Sequence, residues 1–469
     1  MTFSESRPLP PQPEFDFSRV PSTASPLVAV PPAAGCELIA TIPVYNEEAD
    51  IVHTLAALAA QTEMDGSSLD PARYEVLSLA NNCTDGTGEI VRAFGARHPA
   101  FRLHLIEISL AQPHAHVGAA RRLVMDEAYR RLVGLGRRRG VIATTDGDTR
   151  VRPDWVATNL AEIAAGADAV GGRILASPEQ VAALAPGTRL YYRLDTTYRT
   201  LRAAYETILN PDPANGWPRH HHCFGASLAV TAETYRRAGG LPVLRCLEDM
   251  AFTDALERLE ARVRQSPAVN VLTSLRVSGR VDVGLSGTLS KWTDAAAAGQ
   301  SLMLESPDFI AREALNRTVI RRYWSAGYSP GAATRLAGEL ELAWDASWLD
   351  DRWQHARSAG ELAQAVCWHH RHHRTGPYAL PLMEVRAAIA ELRRRLTLRR
   401  ADLRARAMVT PARTGRGGIF PPAARTNAAD ALPWPPPEKS RGPGRLSGDS
   451  RGRTASSEPA ATGLPAPVR

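Results

Sequence analysis

Two carboxylates, Asp146 and Asp148, stand two residues apart in residues 143–150 (Ala-Thr-Thr-Asp-Gly-Asp-Thr-Arg), directly after the apolar run 141–143. Side chains at i and i+2 of an extended segment share one face, so both can aim at one hard cation or at oxygen groups bridged by it. A second acidic pair, Glu248-Asp249, opens a stretch in which Met250, Phe252, Ala255, Leu256 and Leu259 recur at helical spacing. Acids in a first helical turn also complement the helix dipole, and a lone Asp-x-Asp also closes many solvated turns. The meaning of these residues therefore rests on the elements that position them.

Residues 37–44 (Glu-Leu-Ile-Ala-Thr-Ile-Pro-Val) read as a strand broken by a polar turn, Tyr45-Asn46-Glu47-Glu48, after which Ile51, Leu55, Leu58 and Ala59 follow a helical period. A second strand at 74–80 leads into the turn-rich loop 81–87 and a helix that starts at 89–94. A third strand is expected at 101–108, then a loop with His114 and His116 and a helix over 117–132; the strand that ends at Asp146 is the fourth. Strands that alternate with helices through short polar loops argue a parallel sheet. Ligands of such sheets bind outside the carboxyl ends of the strands, so residues 45–47, 81–85 and 146–148 should converge on one crevice.

Pro-Val-Tyr-Asn-Glu at 43–47, Asn-Asn-Cys-Thr-Asp-Gly-Thr at 81–87 and Thr-Asp-Gly-Asp-Thr at 145–149, in this order, resemble the nucleotide-sugar-binding half of family-2 glycosyltransferases. Phe224-Gly225-Ala226-Ser227-Leu228-Ala229-Val230 is similar to the family's acceptor-side strand, and Leu247-Glu248-Asp249 to its Glu-Asp pair. The likeness covers roughly residues 36–295. It implies a GT-A fold, an α/β architecture with a Rossmann-like, mostly parallel sheet flanked by helices. The activity it implies is metal-dependent transfer of a sugar from a nucleoside-diphosphate sugar to an acceptor hydroxyl, with Mn²⁺ or Mg²⁺ on the diphosphate. By the same resemblance Asp148 is the metal ligand, and Pro43, Tyr45, Glu47, Asn81, Asp85, Arg121 and Asp146 face the nucleotide sugar. Asp249 is then the base that implies inversion, and Glu248 positions the acceptor. A divalent ion neutralises a departing diphosphate without needing a proton, and Mg²⁺ or Mn²⁺ takes only one or two protein carboxylates there.

Two departures from the family pattern carry information. Ala80-Asn81 stands where many relatives have Asp-Asp, so an amide that donates and accepts replaces an acid that often reads uracil. The Gln-x-x-Arg-Trp signature of processive synthases is absent, which favours addition of a single sugar. Arg276 and Arg280 occupy the comparable stretch and can bind phosphate or remain solvated. Beside Gly225, His222 of the run His220-His221-His222-Cys223 can donate to acceptor or phosphate, but consecutive residues point apart, so a zinc site is not expected there. His369, His370, His372 and His373 read as a solvent-facing cluster on a basic helix.

The 469-residue chain is 44% hydrophobic and 22% charged, a globular composition. Residues 1–35 contain eight prolines and residues 410–469 eleven, so both are expected to be disordered tails. Residues 36–300 would form the transferase domain, and 301–409 a helical extension marked by Val385, Ile389, Leu392 and Leu396. Charge is uneven: 384–409 have eight Arg against three acids and 410–469 nine Lys and Arg against four, which leaves the rest slightly acidic although the total is +7. The cationic segments lie outside the motifs and lack interleaved aromatics, which excludes nucleic acid as the expected partner and leaves peripheral contact with an anionic membrane. No stretch has eighteen apolar residues and no secretory pattern opens the chain; with five cysteines lacking Cys-x-x-Cys spacing, a cytoplasmic protein is expected. A nucleotidyltransferase would also use paired carboxylates and a metal, but its phosphate loop is glycine-rich and basic, whereas residues 44–48 are acidic and lack glycine. A non-catalytic nucleotide-sugar-binding protein would have no use for Asp146, Asp148 and Asp249 together.

Overall fold

The structure, a computed structural model, describes residues 25–276, 283–342, 345–372 and 382–409. Arg280, His373 and most of both proline-rich tails lie outside the described residues. Strand β1 (Leu38–Val44) is followed by α1 (Ile51–Ala59), β2 (Tyr74–Asn81), α2 (Thr87–Arg97), β3 (Leu103–Ile108), α3 (Val117–Gly134) and β4 (Val141–Thr144). The chain continues through β5 (Arg150–Val151), α4 (Trp155–Ala164), β6 (Ala169–Leu175), α5 (Pro178–Ala183) and the long α6 (Pro186–Leu209). Then come β7 (Leu228–Thr231), α7 (Ala232–Arg237), α8 (Glu248–Arg258), β8 (Val263–Leu272) and α9 (Leu285–Ala297). The remaining elements are β9 (Met303–Glu305), α10 (Pro307–Ala326), α11 (Pro330–Glu339), α12 (Ala346–His355), α13 (Ala359–His372), β10 (Leu382–Glu384) and α14 (Val385–Val409).

Eight strands form one sheet in the order β3-β2-β1-β4-β7-β6-β8-β5. Strands β1, β2 and β4 are buried along their whole length, as expected of strands covered on both faces. Neighbours β1·β2, β1·β4, β2·β3 and β6·β8 are parallel, while β4·β7, β6·β7 and β5·β8 are antiparallel, so the sheet is mixed. The antiparallel β7 places the site. Its register sets Leu228 opposite Thr144, so the turn at 225–227 lies at the carboxyl end of β4, beside the Asp-x-Asp. Helices α1, α2 and α4 cover one face through Ile51, Leu55, Leu58, Val91, Phe94 and Trp155. Helices α3, α7 and α8 cover the other through Leu123, Val124, Leu132, Tyr235 and Phe252.

The periodic residues Val385, Ile389, Leu392 and Leu396 of α14 are buried against Tyr198, Leu201 and Tyr205 of α6 and Leu289 and Trp292 of α9. This core joins the C-terminal helices to elements that precede residue 300. A further core packs α10 to α13 around Leu336, Leu349, Leu362 and Val366. The solvent-facing reading of the histidine cluster is overturned for His369 and His370, which are buried. They fall on the same helical face as Leu362 and Val366. His369 stacks on Trp348, with ring centroids 3.9 Å apart, and His370 Nε2 lies 3.1 Å from the Leu340 carbonyl. Among the described residues no helix is long and apolar enough to cross a membrane. Part of the basic charge on α14 is answered within the fold, since Arg394 and Arg395 pair with Glu391 and Arg395 also with Asp308.

Residues 25–35, expected to belong to a disordered tail, are instead tied to the sheet. Leu27 and Val28 N–H groups donate to Glu127, Ala33 N–H donates to Glu75 Oε1 (2.8 Å), and Arg131 Nη1 donates to the Val30 carbonyl (2.7 Å). Arg131 and Glu75 form a fully buried pair at 2.6 Å. Composition failed here because the partners are buried side chains of β2 and α3. Burial pushes the Glu75 carboxyl up, yet His104, Arg131 and the Ala33 N–H hold it down to about 2 from an ordinary 4.5. The stabilisation it provides is therefore complete above pH 4.5 and is lost as pH falls toward 2. Glu75→Ala leaves the Arg131 charge buried without its carboxylate and should cost about 3–5 kcal/mol, read by denaturant unfolding at pH 7. The gap between variant and wild type should narrow below pH 4.5.

Candidate active site

The three loops expected to converge do so at the carboxyl ends of β1, β2 and β4. Pro43 pairs only with β2, because the β1·β4 ladder ends at Thr41 and Thr144, just before the loops that carry Tyr45 and Asp146. In the first of these loops Tyr45 is 47% exposed, and Asn46 takes a left-handed φ of 53°. Asn46 exchanges hydrogen bonds with Thr84, accepting from its N–H at 2.8 Å, and Glu47 N–H donates to Thr87 Oγ1 at 2.8 Å. Asp85 accepts from Thr87 N–H and Oγ1 and from Glu48 N–H. Its carboxylate thus braces the two loops against each other. Asn81, at the end of β2, is buried, and its Oδ1 has no hydrogen-bond partner among the described residues.

Arg121 of α3 is the centre of the site. Only 4% exposed, it donates from Nη2 to Asp146 Oδ1 (2.7 Å) and from Nε to Glu248 Oε1 (3.1 Å). Its Nη1 reaches Thr144 Oγ1 (2.7 Å) and the Gly225 carbonyl (3.2 Å). Burial works against its charge, but Asp146 and Glu248, with Asp249 behind them, raise its pKa and keep it protonated. Glu248, 4% exposed, is pushed up by burial and by Asp249, while Arg121 opposes the shift. It is thus bonded to the donor-side arginine.

Asp148 and Glu47 share a second arginine. Arg276, four residues beyond β8, binds both oxygens of Glu47 (3.0 and 3.1 Å) and contacts Asp148 Oδ2. Burial, then the neighbouring Asp146, push the Asp148 carboxyl up to about 6. Gly147 between the two acids has no space for a side chain, since a Cβ would lie 2.8 Å from Val44 Cγ1 and 2.9 Å from Glu47 Cγ. Its carbonyl accepts from Thr54 Oγ1 at 2.8 Å, which fixes the turn that aims both acids.

Leu247 adopts φ 60° and ψ 25°, a costly left-handed conformation for a branched residue, and turns the chain into α8. Asp249 follows, with Oδ2 accepting from Gly225 N–H and Oδ1 from Met250 N–H, both at 2.8 Å. Gly225 therefore links Asp249 to Arg121. A Cβ there would sit 2.8 Å from the Arg121 Cζ. Gly225→Ala should displace the guanidinium, lowering stability by about 1–3 kcal/mol and weakening nucleoside-diphosphate binding together, which calorimetry and thermal unfolding can measure. His222 lies beside the same turn, its Nδ1 accepting from Ile174 N–H at 2.9 Å.

The sequence model described as Glycosyl transferase family 2 matches residues 40–227. This stretch is a family-2 glycosyltransferase domain. A curated relative, the glycosyltransferase AglE of Haloferax volcanii, is 29% identical over 134 residues, 28% of this chain and 38% of the relative. The match thus spans less than half of that relative's length. Among solved structures, the mannosyltransferase PcManGT of Pyrobaculum calidifontis with GDP-Man and Mn²⁺ aligns over 84% of this chain and 90% of its own, at 17% identity and a TM-score of 0.36. TarS of S. aureus with UDP aligns over 72% and 92%, at 14% identity and a TM-score of 0.37.

Glu248, Asp249 and Arg276 lie beyond the matched stretch of the transferase domain, and the fold brings all three to it. Among the described residues no three His, Cys, Asp or Glu gather closely enough to hold a metal by themselves. The crowding of Asp148 by Asp146 and Glu47 nevertheless suits a hard cation whose other ligands come from a diphosphate. The sequence motifs contain Gly147 and Leu247 but assign no role to either, or to Thr144. A glycine held between two acids was the local signal for Gly147, whereas the roles of Thr144 and Leu247 emerge only from packing.

Proposed function

We propose that the transferase domain moves a single sugar from a nucleoside-diphosphate sugar to an acceptor hydroxyl by one inverting displacement, with Mn²⁺ or Mg²⁺ at Asp148. The observation that carries this reading is the convergence on Arg121. One guanidinium holds Asp146 of the Asp-x-Asp, Glu248 of the Glu-Asp pair and the carbonyl of Gly225, whose own N–H holds Asp249. Donor-side and acceptor-side acids are thereby fixed relative to each other before any substrate arrives, which is the arrangement that in-line displacement needs.

The buried, unpartnered Asn81 Oδ1 accepts an N–H from the nucleobase, and exposed Tyr45 stacks on its face. Asp146 faces the ribose. A divalent cation, when bound, supplies Lewis-acid neutralisation of the leaving diphosphate. Arg276 leaves Asp148 and turns its guanidinium to a phosphate oxygen, a partner that suits its planar fork. Asp249 keeps lone pairs free of its two backbone donors and takes the acceptor proton as the hydroxyl attacks opposite the diphosphate. The test is a screen of nucleotide sugars with Mn²⁺ for thermal stabilisation, where a ligand at a hundred times its Kd adds about 2.7 kcal/mol, followed by product analysis. Stabilisation by no nucleotide sugar, or release of pyrophosphate from a nucleoside triphosphate, would overturn the reading.

A further inference from the structure

Strand β6 places an arginine beside the acceptor side of the site. A Cβ at Gly172 would strike Ser227 Oγ and Val269, whereas a Cβ at Gly171 would lie 2.5 Å from the carbonyl oxygen of His222. Side chains alternate along a strand, so Arg173 leaves the sheet on the His222 side. It is exposed and has no hydrogen-bond or carboxylate partner among the described residues. The bond from Ile174 N–H to His222 Nδ1 leaves the ring proton on Nε2, a donor. Burial first, then His220, Arg199 and Arg173, push His222 down to about 3, so it stays neutral. The ring of His221 stands edge-on to it, with centroids 4.1 Å apart.

Over this loop lies one face of α6, where Tyr192, Asp195 and Arg199 fall at i, i+3 and i+7. Arg199 Nε donates to Asp195 Oδ2 at 2.7 Å, while Asp195 Oδ1, on a residue only 9% exposed, has no partner among the described residues. Arg219, directly before the histidine run, donates to Thr207 Oγ1 (2.7 Å) and pairs with Glu206 (3.2 Å) of α6, which packs this loop against the helix; across that contact Arg173 and Asp195 both act on Tyr192, and Arg199 on His221 and His222. The cluster adjoins Asp249, since Thr253 Oγ1 on α8 donates to the Cys223 carbonyl at 3.1 Å and Gly225 N–H to Asp249. An exposed guanidinium, an imidazole N–H and a second arginine are the donors of an oxyanion site; an orphaned carboxylate oxygen beside them accepts a hydroxyl.

We propose that Arg173 and His222, backed by Arg199, bind an oxyanion on the acceptor, which is then a hydroxyl compound bearing a phosphate or carboxylate group, with Asp195 accepting one of its hydroxyls. This rests on the transfer reading for the identity of the acceptor, not for the existence of the anion site. The test titrates inorganic phosphate and, separately, acetate into the full chain by calorimetry, with and without saturating UDP or GDP to occupy the diphosphate site. Binding of either anion in the presence of nucleotide is expected, weakened at least tenfold by Arg173→Gln, less by Arg173→Lys, and unchanged by Arg102→Gln, an exposed residue directly before β3 at the opposite edge of the sheet. Preference for phosphate or acetate names the group. Failure of both anions to bind, or equal binding by Arg173→Gln, overturns the inference even if nucleotides bind. Anion binding that depends on Arg173 without any nucleotide binding would uphold the site and refute the proposed transfer instead.

Discussion

Asp249→Asn should lower the single-turnover transfer rate by about a hundred- to ten-thousand-fold, the range for loss of a general base, with donor affinity close to wild type. The carboxylate has no bond to Asp146 or Asp148 among the described residues, and its fixed contacts are two backbone N–H groups. The amide keeps one accepting oxygen but faces the other N–H with an NH₂ group, a local cost of about 1–3 kcal/mol that thermal unfolding separates from chemistry. Glu248→Gln should behave differently. Because Glu248 is bonded to Arg121, its loss should appear in donor affinity and stability more than in the acceptor KM. Calorimetry for the donor, rapid-quench rates for both variants and the anomeric coupling of the product by NMR decide the matter. Near-normal turnover by Asp249→Asn, or retained configuration, would remove Asp249 from the role of base.

The parts of this site legible in the sequence were those in which local spacing does the positioning. Residues 43–47, 81–87 and 145–149 each follow an apolar strand, so a parallel core dictates where they go, and the loops meet as expected. Arg121 is harder to read, since α3 also carries Arg122, Arg130 and Arg131, and nothing in the helical period says which arginine points to the crevice. Its assignment came from a resemblance; the bonds to Asp146, Glu248 and Gly225 come from three separate elements and exist only in the fold. Arg276 binds Glu47 across 229 residues of chain, a contact beyond any pattern argument.

The same limit explains the errors. Residues 25–35 look unable to order themselves, and alone they would be; Glu75, Glu127 and Arg131 supply the partners. The basic residues around His369 and His370 suggest a solvated face, but polar side chains can be buried when Trp348, Asn316 and a backbone carbonyl receive them. The stripe at 385, 389, 392 and 396 is legible as a helix face, while its partner, α6, is not, because that helix is polar outside its own buried stripe.

Asp148→Asn should make the protein more stable and disable it. Burial and the adjacent Asp146 and Glu47 raise this carboxyl to about 6 from an ordinary 3.8, although Arg276 pulls the other way. A group whose pKa is higher in the folded state destabilises that state when ionised, so the burden is full above pH 6 and vanishes below 3.8. At pH 7, with a chelator present, the neutral asparagine should recover on the order of 2–3 kcal/mol, a net figure in which the pull of Arg276 is already included, and raise Tm by a few degrees. The gain should disappear near pH 4. In the presence of Mn²⁺ and nucleotide sugar the order should reverse, because the wild type gains ligand stabilisation that the variant cannot, an amide oxygen being a poor substitute for a carboxylate on a hard cation. Paired melting curves at pH 7 and pH 4 with chelator, and at pH 7 with metal and donor, test both halves. A variant with unaltered metal-dependent donor affinity would take Asp148 out of the metal site. A lower Tm at pH 7 with chelator would mean that the ion pair with Arg276 outweighs the crowding of three carboxylates around one crevice.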